Sequence, residues 1–307
     1  VLAPLRAFLR LSRLKFLAGG VLGAGLGTAV AAHARAGRFD WQTWLVVQLT
    51  VTAFQLMTHY ANDFFDREGD RSAVRTPFSG GSGALVDGSL PPLAGLGAAF
   101  LCVVLGMACC GILAARGQTA AAGLGIAIGV LAWFYSAPPL RLLARGLGEL
   151  DTALVVAMLV PLCAFAAQTG AWASPVAVAS SLPGAAAMLA MMLCVEAPDV
   201  AADAASGKRN LVVRFGRPGL VRLGRGAIAF AYIGVALAVL AGAPYWLAVL
   251  ELMSLPPGVA LWFALGRDAR TPDPLADANL AAQGVAFFFL VSFDAVLGFA
   301  VALPWHI

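Results

Sequence analysis

Asn62, Asp63, Asp66 and Asp70 form the pattern N-D-x-x-D-x-x-x-D, placed where a long apolar run ends. On a helix, Asn62, Asp66 and Asp70 fall at i, i+4 and i+8 and share a face, with Asp63 beside Asp66 at i+3. Carboxylates gathered on one face repel one another, so they need cations. Hard oxygen ligands of this kind favour Mg²⁺ or Ca²⁺ over zinc. A second acidic cluster, Glu196, Asp199 and Asp203, closes another apolar run with spacings i, i+3 and i+7. Mg²⁺ takes one or two carboxylates together with substrate phosphate oxygens. Two acidic helix ends therefore suggest Mg²⁺ bridging to a diphosphate held between them.

The segments after these clusters carry the complementary charge. Arg67, Arg71 and Arg75 precede Thr76-Pro77-Phe78-Ser79-Gly80-Gly81-Ser82-Gly83. Arginines there could hold phosphate oxygens, and glycines let backbone N–H groups approach an anion; the alternative is a flexible loop. Lys208 and Arg209 follow the second cluster and could capture diphosphate, or could act only to orient the chain in a membrane. Tyr135 and Ser136 end an apolar run before Pro138 and Pro139, which cannot continue a helix. Both could donate hydrogen bonds into a cavity. Glu149 and Asp151 lie at the start of the next run, where acids are favoured by the helix dipole.

The elements that must position these residues are membrane helices. The chain has 307 residues, 61% hydrophobic and 12% charged, with mean hydropathy +0.85. Soluble domains carry about 25% charged residues, so a polytopic membrane protein is expected. Runs long enough to span a bilayer, by a criterion of about 20 residues, lie at roughly 16–33, 42–64, 93–115, 119–136, 148–168, 173–196, 219–241, 245–265 and 280–302. The expected fold is all-α: nine transmembrane helices in one domain over residues 1–307. The basic N-terminal stretch (Arg6, Arg10, Arg13, Lys15) reads as a cytoplasmic tail before a first span, not a cleaved signal. With that end inside, all but Arg35, Arg38 and Arg116 of the 20 Lys and Arg fall on inner regions, as the positive-inside rule demands. Arg270 is among the inner set. Both acidic clusters then face the cytoplasm, and the C-terminus lies outside. The net charge of +4 is explained by this placement and implies no nucleic acid. The five cysteines sit in apolar runs without a C-x-x-C pair and read as packing residues. Trp41, Trp172, Trp246 and Trp305 suit outer interfacial anchors.

N-D-x-x-D-x-x-x-D at 62–70, D-x-x-x-D at 199–203, G-K-R-N-L-V-V-R-F-G at 207–216 and the nine-span layout together resemble the UbiA-type intramembrane prenyltransferases, over nearly the whole chain. The resemblance implies a central cavity open to the cytoplasm and laterally to lipid. It also implies two Mg²⁺ ions on the aspartate motifs, an isoprenyl diphosphate as donor, and an electron-rich aromatic ring that attacks the allylic carbon. Asn62, Asp63, Asp66 and Asp70 match the first motif. Asp199 and Asp203 match the second, and Glu196 stands where relatives often hold Asn or Asp. Asp66, Asp70, Asp199 and Asp203 would be the catalytic acids. Asn62, Arg67, Arg75, Tyr135, Ser136, Arg141, Glu149, Lys208 and Arg209 would contact substrate.

Ubiquinone-type members carry Tyr-x-x-x-Lys after the fourth span; here Tyr135 is followed at that spacing by Pro139, with Arg141 nearby. Tyr135-Ser-Ala-Pro-Pro, Gly146-Leu-Gly-Glu149 and the loop 80–91 look more like the menaquinone branch, whose acceptor is 1,4-dihydroxy-2-naphthoate. The alternatives are the same fold on another acceptor, such as 4-hydroxybenzoate or a non-quinone compound, and a cation-coupled transporter. Transporters usually hold their acids near the midplane, unlike these helix-end clusters. His59 and Gln55 precede Asn62 by one and two turns and could face the cavity or make interhelical contacts. Glu251 and Asp294 are carboxylates at membrane depth, expected to be protonated and hydrogen-bonded. Trp133, Phe134 and Phe287 to Phe289 could line a prenyl channel or pack between helices.

Overall fold

The long apolar runs coil into helices, several of them starting at a polar cap or a proline, because backbone groups in lipid must be satisfied within the segment. The computed structural model describes residues 2–71, 75–78, 80–268 and 273–303, and these contain helices and turns without a strand. The helices are α1 (Leu2–Ser12), α2 (Leu17–Ala34), α3 (Trp41–Phe65), α4 (Pro92–Ala115), α5 (Thr119–Phe134), α6 (Gly148–Leu154), α7 (Val160–Thr169), α8 (Pro175–Val195), α9 (Val200–Ala205), α10 (Leu211–Leu240), α11 (Trp246–Glu251), α12 (Leu255–Arg267) and α13 (Pro274–Val301). Asp40 caps α3 by accepting from Gln42 N at 2.9 Å. Ser174, Asn210 and Asp273 cap α8, α10 and α13 in the same way, each satisfying an N–H that the helix leaves unpaired.

Among the described residues, six segments are long and apolar enough to cross a membrane, and all six coincide with expected spans. The other three expected spans take different forms. Helix α3 has the length, with 25 residues, but carries too many polar side chains, from Gln42 through Gln48 and Gln55 to Asp63. Helix α5 is shorter, at 16 residues. The run 245–265 is divided into α11 and α12 just ahead of Pro256 and Pro257, which occupy the first turn of α12. Arg270, Trp305 and Ser79 lie outside the described residues. Trp41 and Trp172 stand exposed, and Tyr245 stacks on Trp246 with centroids 4.9 Å apart. All five cysteines are free.

Two packed halves form the body. In one, α1 to α5 and α7 bury Leu11, Val47, Phe54, Met57 and Leu113. In the other, α8, α10, α12 and α13 bury Leu193, Leu220, Leu261 and Phe287. Small residues bring the helices close, as expected in lipid. At Gly27 of α2, an added Cβ would strike the backbone carbonyl of Pro161 in α7. Leu93, Leu101, Val104 and Leu105 of α4 face outward, on the side where lipid would lie. Between the two halves runs a cavity bounded by α2, α3, α5, α6, α8 and α13. Val155–Leu159, between α6 and α7, is a π-helical turn, an irregularity often found beside functional cavities. Val155 and Val156 of this turn line the wall.

Candidate active site

The last turns of α3 set one wall of the cavity. Gln55, Thr58, His59, Asn62 and Asp66 repeat at helical spacing and all line it, because residues three and four apart share a face. The opposite wall comes from the end of α8 and the short turns beyond it, which bring in Glu196, Asp199 and Asp203. The cavity has a volume of about 250 Å³. Its charged end holds Asp66, Asp70, Asp199, Asp203 and Lys208. Its other end is apolar, walled by Val51, Phe54, Ile128, Met188, Met191 and Phe288.

Lys208 ties the two acidic clusters together. Its Nζ lies 3.0 Å from Asp66 and 3.2 Å from Asp203. Burial pulls its pKa down, but Asp66 and Asp203 outweigh that and hold it above the ordinary lysine range. Asn62 Nδ2 donates to Asp66 at 2.9 Å and to Ser136 at 3.0 Å. Asn210 Nδ2 donates to Asp203 at 2.8 Å, while its Oδ1 caps α10. The Gly80 N–H donates to Asp199 at 3.0 Å across the site. Gly81, next in the chain, has φ +69, and a Cβ there would collide with the Asp70 carboxylate, so the loop comes this close only as glycine. Burial, with help from Asp66 and Asp63 and against the pull of Lys208, raises the Asp70 pKa to about 6.

The donor set at this end is all oxygen, as a hard divalent cation requires. Asp199 Oδ1 and both oxygens of Glu196 are buried without a hydrogen-bond partner, so acceptors remain free for a cation. Among the described residues no three Asp, Glu, His or Cys side chains stand close enough to form a finished cage. An incomplete protein cage suits an ion that takes its remaining ligands from substrate.

Of the residues expected here, Asn62, Asp66, Asp70, Tyr135, Glu196, Asp199, Asp203 and Lys208 line the cavity. The others do not, for local reasons. Asp63, expected among the metal ligands, follows Asn62 by one residue and so points about 100° away. Its carboxylate accepts from Arg13 and the Ser82 hydroxyl, and from Ser82 N at 3.2 Å. Arg67 donates to the Phe64 carbonyl at 2.7 Å and lies over the Phe64 ring. Arg75 is exposed beside Gly83. Ser136 is buried behind Asn62. Arg141 sits exposed in a turn with φ 46. Arg209 is exposed, and its backbone N donates to Ala144 O at 3.0 Å. Glu149 is fully buried and accepts from Leu211 N at 2.5 Å, at the start of α10.

The structure adds Arg13, which has φ 44 just beyond α1 and reaches Asp63. Its place in a basic N-terminal stretch gave no signal beyond topology. Asp151 of α6 is the second addition, on the cavity wall. Gln55 and His59 do line the cavity, with His59 Nδ1 held 2.9 Å from the Ser12 carbonyl. Phe288 and Phe289 line it too, whereas Phe287 packs on Tyr232, and Trp133 packs on Phe65 and Phe100. Glu251 and Asp294 are buried elsewhere. Glu251 accepts from Ser254 at 3.1 Å, and one oxygen of each acid has no hydrogen-bond partner.

The same fold is found in known proteins. The fold is similar to that of a UbiA homologue from Archaeoglobus fulgidus bound to GPP and Mg²⁺, with TM-score 0.65 and 17% identity over 95% of this chain and 99% of that one. A UbiA homologue from Aeropyrum pernix K1 in its apo form gives TM-score 0.66 at 15% identity, covering 93% and 98% of the two chains. A digeranylgeranylglyceryl phosphate synthase gives 0.64 at 15% identity, covering 96% and 98%. No curated protein sequence matches the chain. The sequence model of the UbiA prenyltransferase family matches residues 21–303, which is nearly the whole chain, and the protein therefore belongs to that family.

Proposed function

We propose that this protein transfers an isoprenyl group from a polyprenyl diphosphate to an aromatic acceptor within the membrane, with Mg²⁺ as cofactor and 1,4-dihydroxy-2-naphthoate as the acceptor. The observation that carries this reading is the convergence of two acidic helix ends on Lys208 at the mouth of an apolar cavity. A diphosphate carries several negative charges, and its prenyl tail carries none. A site with a charged end and an apolar end matches both halves of such a donor. The A. fulgidus homologue bound to GPP and Mg²⁺ supports the same donor class.

On this reading Asn62, Asp66, Asp70, Glu196, Asp199 and Asp203 hold the metal, and Asp63 holds Arg13 and the 80–83 loop. When bound, Mg²⁺ supplies positive charge that makes the diphosphate a better leaving group. Lys208 and Arg13 add fixed positive charge around the departing diphosphate. The aromatic and aliphatic walls keep water from the allylic carbon. The chain is then one integral-membrane domain over 1–307 with nine spans, in a bacterial-type inner membrane. Its cavity opens to the cytoplasm and laterally to lipid.

The test is product analysis. Purified protein in detergent is incubated with Mg²⁺, a panel of prenyl diphosphates, and either 1,4-dihydroxy-2-naphthoate or 4-hydroxybenzoate, with an EDTA control. Mass spectrometry should find a prenylated naphthoate that disappears with EDTA. A prenylated benzoate would instead move the protein to the ubiquinone-type branch. Absence of any diphosphate consumption would overturn the metal–diphosphate reading.

A further inference from the structure

Asp151 is the carboxylate of the cavity that belongs to neither acidic cluster. It lies in the first turn of α6, is 8% exposed and lines the cavity. Among the described residues its side chain has no hydrogen-bond or ion-pair partner, yet its oxygens are not sealed from the cavity space. Its neighbours in sequence are engaged in part. Glu149 accepts from Leu211 N, and the Thr152 hydroxyl donates to the Gly148 carbonyl at 2.9 Å. The two cations that line the cavity are committed elsewhere, Arg13 to Asp63 and Lys208 to Asp66 and Asp203. A lone carboxylate in a membrane protein is costly and is retained where it has work to do. The cavity it lines is also walled by Tyr135, Ile128 and Val155, so the ligand it awaits is largely apolar in body and carries a hydrogen-bond donor.

We infer that Asp151 binds the hydroxyl of a phenolic acceptor and acts as the general base of the transfer. This rests on the prenyl-transfer reading above and names its acceptor class. As the ring carbon attacks, a C–C bond forms to the allylic carbon. The allylic C–O bond breaks, and its electron pair leaves on the diphosphate. The acceptor hydroxyl gives its proton to Asp151, which makes the ring more nucleophilic and leaves a dienone. The ring C–H proton then passes to the released diphosphate, and Asp151 returns its proton to the oxygen, restoring the aromatic ring. No oxidant or reductant is needed. A base placed in this way commonly contributes a hundredfold or more to rate.

The test separates binding from turnover. Binding of 1,4-dihydroxy-2-naphthoate and of 1,4-dimethoxy-2-naphthoate is measured by fluorescence titration of the detergent-purified protein, wild type and Asp151→Asn. The wild type should prefer the diol by about tenfold or more, the scale of a hydrogen bond to a charged group. Asp151→Asn should lose that preference and Asp151→Glu should keep part of it. Thermal stabilisation by geranyl diphosphate with Mg²⁺ should be unchanged in both variants. In turnover, Asp151→Asn should lower kcat by about a hundredfold. Equal binding of diol and diether by the wild type overturns the inference, whatever the turnover. So does an Asp151→Asn variant that keeps the preference, or one that loses geranyl diphosphate binding in step with activity. Failure of the wild type to prenylate any acceptor would instead count against the prenyl-transfer reading, and the binding comparison still decides the role of Asp151.

Discussion

Replacing Lys208 by methionine should produce a protein whose stability depends on divalent cation. The Lys208 side chain is 10% exposed, and its partners Asp66 and Asp203 are 5% and 13% exposed. All three are shielded from water, so the pairing is not the weak surface kind. Methionine keeps the apolar stem and removes the charge, leaving two carboxylates facing each other without it. Removing one partner of a buried ion pair costs about 3–5 kcal/mol. At about 2 °C per kcal/mol for a chain of this size, Lys208→Met should unfold about 6–10 °C below the wild type in EDTA. Mg²⁺ should reverse most of that loss, because the ion can take the place between the acids that the ammonium held, and a ligand bound only by the folded state raises its apparent stability. The wild type should gain less from Mg²⁺, since there the ion competes with Lys208. The assay is thermal unfolding in detergent followed by tryptophan fluorescence, across a Mg²⁺ titration. A deficit that is the same with and without Mg²⁺ would refute the idea that lysine and metal share this place, as would a variant as stable as the wild type in EDTA.

Four further substitutions probe the same architecture. Asp66→Ala or Asp199→Ala should abolish prenyl transfer while the protein still elutes as a folded species on size exclusion; activity like that of the wild type in either would remove these residues from the chemistry. Asp63→Asn should lower Tm by loosening Arg13 and the Ser82 loop, yet leave the Mg²⁺ concentration for half-maximal activity unchanged; a raised requirement would return Asp63 to the metal ligands. Gly27→Val drives a side chain against the Pro161 carbonyl and should cost about 1–3 kcal/mol, the scale of an overpacked core, read as a lower Tm in both EDTA and Mg²⁺.

The acidic helix ends were legible because their information is local. A spacing of three or four residues fixes a shared face wherever the helix sits, and Asn62 with Asp66, and Asp199 with Asp203, do meet the same cavity. The six apolar spans were legible for a similar reason, since length and composition decide them. What local spacing cannot supply is the partner brought in by packing. Arg13 and Asp63 are fifty positions apart, and only the docking of α1 on α3, through the Ser12–Tyr60 hydrogen bond of 2.8 Å and the Phe8–Tyr60 contact, brings them together. Arg67, Arg141 and Arg209, expected at the substrate, lie outside the cavity lining; the Arg67 side chain bonds the Phe64 carbonyl, and Arg141 and Arg209 are exposed. Glu149 and Asp151 make the same point. Two residues apart on a helix, they point about 200° from each other, so one can face α10 and the other the cavity. Composition gives no means to choose between them; the position of α10 does.

The resting site also constrains how its ligands arrive. Asp66 and Asp203 are shared with Lys208, Asp199 with the Gly80 N–H, and Asp63 with Arg13. Glu196 is left with two buried oxygens and no hydrogen-bond partner. Six acids with two internal cations would repel an incoming diphosphate, whereas Mg²⁺ alone would have to displace Lys208. Metal and diphosphate arriving together resolve both conflicts. The cations neutralise the acids, the released Lys208 ammonium turns to the diphosphate, and the phosphate oxygens complete the metal shell that the protein leaves open. On this argument metal and donor bind cooperatively, with a coupling that Lys208 sets. Geranyl diphosphate should therefore tighten Mg²⁺ binding, and Mg²⁺ should tighten geranyl diphosphate binding by the same factor, as linkage requires. Lys208→Met should shrink that factor, because in the variant the metal no longer has to wait for the donor to draw the lysine away. Titrations of each ligand in the presence and absence of the other, in both proteins, measure the coupling directly. An equal coupling in the two would mean that Lys208 is a bystander to metal binding.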